Sequence, residues 1–164
     1  MVLRLLKISL LVSATTLLSL SFIDNILAYD INFEYVKHVL SMDDTFKHPI
    51  LMLRSIHNPI YYHIFYCFII ALEGLASLGL CLGVYHSLKN IKQTRQQFNQ
   101  AKFWGEFGLL LALFIYTFLF FAIGTEWFAS WQSEKWNSKV AATPFILFLG
   151  VIYFIFSQSE TAEY

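Results

Sequence analysis

Four long apolar runs, at residues 5–28, 61–85, 103–124 and 140–157, constrain this chain more than any other feature. A helix needs about 20 mainly apolar residues to cross the hydrocarbon of a bilayer. Hydrocarbon offers no partner to an unpaired backbone N–H or C=O, and each such group costs several kcal/mol there, so the runs are expected to be helical. The fourth is the shortest, but residues 140–156 carry no charge. The expected fold is an all-α membrane protein: a single domain over 1–164, built as a four-helix up-down bundle.

Composition agrees. Only 13% of the 164 residues are charged, against about 25% in an ordinary soluble domain, while 18% are aromatic. The formal net charge is zero, which gives no electrostatic reason to expect nucleic acid as a partner. The lipid bilayer is the first partner; another membrane protein or a second copy of the chain are the other candidates. Cys67 and Cys81 lie in one apolar run. Helical rise separates them by roughly 21 Å, too far for a disulfide.

Arg4 and Lys7 before the first run resemble the start of a signal peptide. The run is longer than the usual 7–15 residues, however, and Ile26-Leu27-Ala28 is a poor cleavage site, so an uncleaved anchor is expected. The flank before the first run and the loop holding Lys89, Lys92, Arg95 and Lys102 are basic without acids, whereas the other two loops are mixed. Basic flanks stay in the cytoplasm. Both termini and the middle loop are therefore expected inside, and the mixed loops outside.

In the first outer loop, Phe33, Val36, Val39 and Leu40 share one face of a short amphipathic helix, expected to lie along the outer surface. Asp43-Asp44 opens a turn, and Asn58-Pro59 suits a helix start. Trp127 and Trp131 stand one helical turn apart, and with Trp136, Tyr61, Tyr62 and Tyr66 they make an aromatic belt. For helix packing, Gly79 and Gly83 form a GxxxG spacing. Gly105 and Gly108, with Ala101 and Ala112, supply small residues on the third run. Packing inside the bundle is expected, with an oligomer seam as the competitor. Ser9, Ser13, Thr16 and Ser19 are expected to hydrogen-bond across an interface.

Glu73 is the most informative polar residue. It lies near the middle of the second run, where a carboxylate costs on the order of 3 kcal/mol on insertion scales. The structural reading is a protonated acid bonded to Ser13 or Thr16 of the first helix. The functional reading is a proton or ion path. Glu106 and Lys102 read as an i,i+4 interfacial pair. Asp24 and Glu126 read as boundary residues that could face an outer vestibule. The five histidines show no ligand spacing, so no metal site is expected. No phosphate loop, nucleophile elbow or dinucleotide fingerprint is present, so no cofactor and no catalytic residues are expected.

The segments Arg4-Leu5-Leu6-Lys7-Ile8, His38-Val39-Leu40-Ser41-Met42-Asp43-Asp44-Thr45-Phe46 and Gly124-Thr125-Glu126-Trp127-Phe128-Ala129-Ser130-Trp131-Gln132-Ser133, with Trp136-Asn137, lie largely outside the generic apolar runs. Together with Glu73-Gly74, they resemble a family of predicted small bacterial integral membrane proteins, designated domain of unknown function 2165. The resemblance runs over essentially the whole chain. It implies four helices and a bacterial inner-membrane location, and no activity. It directs attention to Glu126, Trp127, Trp131 and Trp136 on the outer side. The leading expectation is a non-enzymatic accessory or interaction protein using residues 127–137. The alternative is a small transporter or proton-coupled carrier using Glu73.

Overall fold

The computed structural model describes residues 1–160. Four helices in it are long and apolar enough to cross a membrane. The first, α1 (Val2–Leu27), ends at Ala28, whose backbone leaves the helical region, and α2 (Tyr29–Ser41) begins at once. A single turn, α3 (Pro49–Met52), precedes α4 (Pro59–Lys89). Asn58 caps α4 by accepting from the Ile60 N–H, and Pro59 opens it. A short α5 (Arg95–Ala101) starts from a reciprocal capping box between Thr94 and Gln97. Then α6 (Phe103–Phe114) continues without a break into a π segment, Ile115–Trp127. A 3-10 turn, Ser130–Gln132, leads to α7 (Ser138–Ser157), capped by Asn137.

The helices run further than the apolar runs. At 31 residues α4 is roughly 46 Å long, well beyond the ~30 Å hydrocarbon core. Hydropathy marks only the part that lipid must accept, while capping residues decide where the helix stops. The spans pack in chain order, α1 on α4, α4 on α6 and α6 on α7, with α7 closing against α1. Each is antiparallel to the one before. Gly83 meets Gly105 and Gly79 meets Gly108, so α4 and α6 run in opposite senses. The same holds for α6 and α7, where Gly105 meets Phe156 and Gly124 meets Ser138. Both chain ends and the α4–α6 connection thus share one end, the terminal end. The other two connections form the capped end.

Lipid gives helices no hydrophobic reason to associate, so packing rests on close backbone approach. Gly79, Gly83, Gly105 and Gly108 supply it between α4 and α6. A Cβ on Gly108 would lie 2.7 Å from the Leu80 nitrogen, and one on Gly83 would overlap the Gly105 Cα. Leu11, Leu18, Leu80, Leu109, Leu149 and Phe156 fill the axis around this seam and are fully buried. Large apolar side chains such as Leu20, Leu78, Leu147 and Phe154 point outward, as a lipid-facing surface requires. The hydroxyls of Ser9, Ser13 and Thr16 do not cross an interface. They sit on the exposed face of α1 and donate to its own carbonyls at Leu6, Ser9 and Val12.

The apolar face of α2 turns into the protein instead of lying along a surface. Val36, Val39 and Leu40 are buried with Tyr62, Tyr66 and Phe128. Tyr62 and Tyr66 therefore leave the expected aromatic belt: Tyr62 donates to the Ile56 carbonyl at 2.7 Å, while Tyr61 alone of the three stays exposed. Trp127 and Trp131 do not share a helical face either. The π segment ends at Trp127, and Ala129 takes a left-handed conformation with φ 51° that turns the chain.

The terminal end is tied by buried cations. Lys102 is 1% exposed. Its Nζ donates to the carbonyls of Phe156, Ser157 and Gln158 at 3.0–3.1 Å, so its three protons meet three carbonyls at the end of α7. Lys7, also buried, donates to the Gln158 carbonyl as well. Helix ends leave up to four carbonyls unpaired and carry partial negative charge, which ammonium groups complement. Lys102 is thus a cap for α7, and its 3.4 Å contact with Glu106 is secondary. Arg4 binds Glu160 through two hydrogen bonds of 2.8 and 2.6 Å and also donates to the Ile91 and Gln93 carbonyls.

Two expectations follow for stability. Gly83→Ala should lower the melting temperature in detergent through overpacking of about 1–3 kcal/mol. Gly150→Ala, where an added Cβ meets nothing within 4 Å, should hold it or raise it by up to about 1 kcal/mol. At the clamp, Lys102→Met should cost about 1–3 kcal/mol by stranding buried carbonyls, read as faster amide exchange at the end of α7. The Arg4 hydrogen bonds hold the Glu160 carboxyl below the usual carboxylate range. The attachment of residue 160 is therefore complete above about pH 4 and is lost only as pH falls through the lower folded value, a loss that Glu160→Gln should imitate at neutral pH.

Candidate functional site

Glu73 lies fourteen residues into α4, roughly 21 Å from its start, and is 2% exposed. Its partner is Asn25 of α1, whose Nδ2 donates to Glu73 Oε2 at 2.6 Å. This corrects the expected bond to Ser13 or Thr16. The register between the helices gives the reason. Gly74 meets the Phe22 ring and Gly83 meets Leu11, so Glu73 faces the level of residue 22. Asn25 is within a turn of that level, whereas Thr16 and Ser13 lie roughly 9 and 13 Å deeper along α1.

Asn25 is the hub of a larger network. Its Oδ1 accepts from Asn32 Nδ2 at 2.7 Å and from the Tyr66 hydroxyl at 3.0 Å. Three elements, α1, α2 and α4, therefore meet through one amide. Its nitrogen donates to Glu73 and its oxygen accepts twice, which fixes which way the amide points. Glu73 Oε1 has no hydrogen-bond partner among the described residues.

The network lines a cleft of about 260 Å³ between α1, α2, α4, the π segment and α7. Asp24, Asn25, Asn32 and Glu73 contribute polar groups; Tyr66, Tyr116, Phe120 and Phe145 contribute aromatic side chains. Tyr116 stacks on Phe145 with centroids 4.2 Å apart. Two of these walls, Tyr116 and Phe120, come from the π segment, whose i→i+5 bonding is seen where the Phe128 N–H meets the Ile123 carbonyl at 3.0 Å. π geometry is rare and concentrates at functional sites. The residues below Glu73 form the sealed glycine seam, so the cleft belongs to the capped half of the molecule.

The second candidate feature is the cap. The Ser133 hydroxyl donates to Asp44 at 2.5 Å and accepts from the Trp136 N–H at 2.8 Å. Gln132 Oε1 accepts from the Phe46 N–H at 2.8 Å, and Ser130 Oγ accepts from the Ser138 N–H at 3.0 Å. Tyr35 donates to Ser138 at 2.7 Å, and burial pushes its phenol up to about 12, so it remains a donor at neutral pH. Gly124 is required by this junction, because a Cβ there would press on Ser138. The first and third connections between the spans are thereby fastened to each other.

The cap displays Phe46, Trp127 and Trp131 at 73%, 52% and 48% exposure. Phe46 and Trp131 meet edge to face at 6.1 Å, and the Arg54 guanidinium lies 4.6 Å over Trp127 while donating to its carbonyl. Trp136 has a different environment: it stacks on His38 at 4.4 Å and is partly buried. Glu126 is exposed beside Trp127 and makes no hydrogen bond among the described residues. The structure thus brings Trp127 and Trp131 to the surface of the cap and keeps Glu73 away from it, in the cleft. Asn25, Asn32 and Tyr116 were not singled out in the sequence. Asn25 carried a signal, a wide polar amide near the end of an apolar run.

The histidines are dispersed. His38 Nδ1 lies 2.7 Å from Asp43, His63 Nδ1 2.8 Å from the Tyr29 hydroxyl, and His57 Nε2 2.9 Å from Ser55. No group of three His, Cys, Asp or Glu suited to a metal ion occurs among the described residues.

Neither a curated protein nor a solved structure matches this chain. One family model does, over residues 3–159, and its description is a predicted small integral membrane protein. That match covers all four spans, the Glu73 network and the cap. The four apolar helices, the lipid-ready exterior and this coverage agree: the chain is an integral membrane protein belonging to the family designated domain of unknown function 2165.

Proposed function

We propose that this chain is a non-enzymatic interaction subunit of a bacterial inner membrane, with both termini in the cytoplasm, docking another membrane protein through its capped end. One observation carries the reading: a hydrogen-bonded cap holds Phe46, Trp127 and Trp131 outward. Large aromatic side chains already fixed before binding lose little conformational freedom on contact, and such residues dominate protein interfaces. The orientation is supported by Arg4, Lys7, Lys89, Lys92, Arg95 and Lys102, which all cluster towards the terminal end.

The Glu73 cleft favours a second reading, a small proton-coupled carrier. Against it stands the packing of Leu80, Leu109, Leu149 and Phe156 between the cleft and the terminal end, which a carrier would have to open.

Crosslinking mass spectrometry in native membranes tests the first reading. A reproducible partner crosslinked at residues 127–137 and lost in Trp127→Ala/Trp131→Ala is expected. Absence of any partner, together with pH-dependent flux in vesicles that Glu73→Gln abolishes, would replace it with the second.

A further inference from the structure

Two hollows of the capped half share a wall. Beside the polar cleft lies an apolar hollow of about 120 Å³ between α2, α4 and the π segment. Tyr35, Val36, Ile69 and Phe120 line both. Phe65 and Phe68, at the far side of the apolar hollow, are exposed on the lipid-facing surface of α4. The apolar hollow thus reaches the lipid-facing surface on one side and borders the polar cleft across the four shared side chains on the other.

The polar cleft has a definite electrostatic character. Asp24 and Glu73 line it, and no Lys, Arg or His does. Glu73 is almost wholly buried, and its one protein donor, Asn25, serves Oε2. Oε1 has none among the described residues. Oε1 is not enclosed but opens onto the cleft, where it can accept from a ligand that brings protons to donate. Tyr66, Tyr116 and Phe120 add aromatic side chains to the lining, and a ring face attracts a cation where it repels an anion. An ammonium group answers all three features: it donates hydrogen bonds, carries positive charge and sits well over aromatic faces.

We propose that the cleft binds the primary ammonium head of a single-chain amphipath, with the head between Glu73 and Asp24 and the start of its apolar chain in the adjoining hollow. The cleft volume of about 260 Å³ exceeds a bare ammonium and leaves room for a small polar head with water. The apolar hollow is much too small for a whole long chain, so the remainder lies along Phe65 and Phe68 in the lipid. This site is separate from the aromatic cap and does not depend on what docks there.

The test uses the full-length protein in lipid nanodiscs and three photoactivatable probes of equal chain length: a primary alkylamine, an alcohol and a carboxylic acid. Labelled residues are located by mass spectrometry. The amine should label the walls around residues 66–73 and 116–120 about tenfold more than the alcohol, and the acid should label them least. Unlabelled amine should compete. Glu73→Gln should reduce amine labelling about tenfold while leaving alcohol labelling unchanged. Asp24 is exposed and makes no hydrogen bond that holds the fold, so Asp24→Asn keeps the test valid should Glu73→Gln fail to fold; it should reduce amine labelling several-fold. Equal labelling by amine and acid, labelling confined to other surfaces, or indifference to Asp24→Asn would overturn the assignment.

Discussion

Hydrocarbon solvates no hydrogen-bonding group, and that constraint organises this molecule from end to end. It makes the four apolar runs helical, because only a helix satisfies its own backbone. It then acts where the helix can no longer do so. At the end of α7 the last carbonyls are met by Lys102 and Lys7 from two other parts of the chain. In the middle of the bundle, Glu73 is met by Asn25, which in turn is held by Asn32 and Tyr66. Lys102, Lys7 and Glu73 each find a partner in a different element, so at these buried positions satisfying hydrogen bonds and specifying tertiary structure become one task. Ser77 and Ser87 are the exceptions, with buried hydroxyls that find no partner among the described residues.

The second organising feature is the unequal width of the bundle. Around Gly79, Gly83, Gly105 and Gly108, backbones approach until no side chain fits between them, and leucines seal the axis. Towards the cap, α6 becomes a π segment, α2 inserts its apolar face, and aromatic side chains replace glycines as spacers. α4 and α6 are therefore close at the glycine seam, while α1, α2, α4, the π segment and α7 leave a cleft towards the cap. Small residues give rigidity where nothing is to be admitted; large ones leave gaps where polar groups gather.

How much of this was legible depended on the length scale of the signal. The spans and the amphipathic helix α2 stand in the sequence as apolar periodicity, and the structure shows them with ends extended by a few residues. The existence of α2 was readable but its docking was not. A lone amphipathic face does not say whether lipid or protein covers it. The Thr94–Gln97 capping box, which starts α5, was present as a plain local pattern, and only its surroundings of charged residues made it look like a loop. Glu73 was identifiable from its depth, because charge in a long apolar run is conspicuous. Its partner required the register between two helices, which no single segment contains. Lys102 shows the same limit: four residues before Glu106 it reads as half of a local ion pair, while its actual partners are more than fifty residues away. The break at Ala129, which separates Trp127 from Trp131, had no glycine to announce it.

The lysine clamp has a consequence for biogenesis. In the proposed orientation, the ammonium groups of Lys7 and Lys102 belong to basic flanks of the kind that resist translocation. In the folded bundle the same groups are buried over the final turn of α7, whose carbonyls they need as partners. In that orientation the same two residues would serve both as a topological signal and as a latch. The end of the last span is thus closed by side chains that all precede it in the chain, so this latch cannot form until α7 is present.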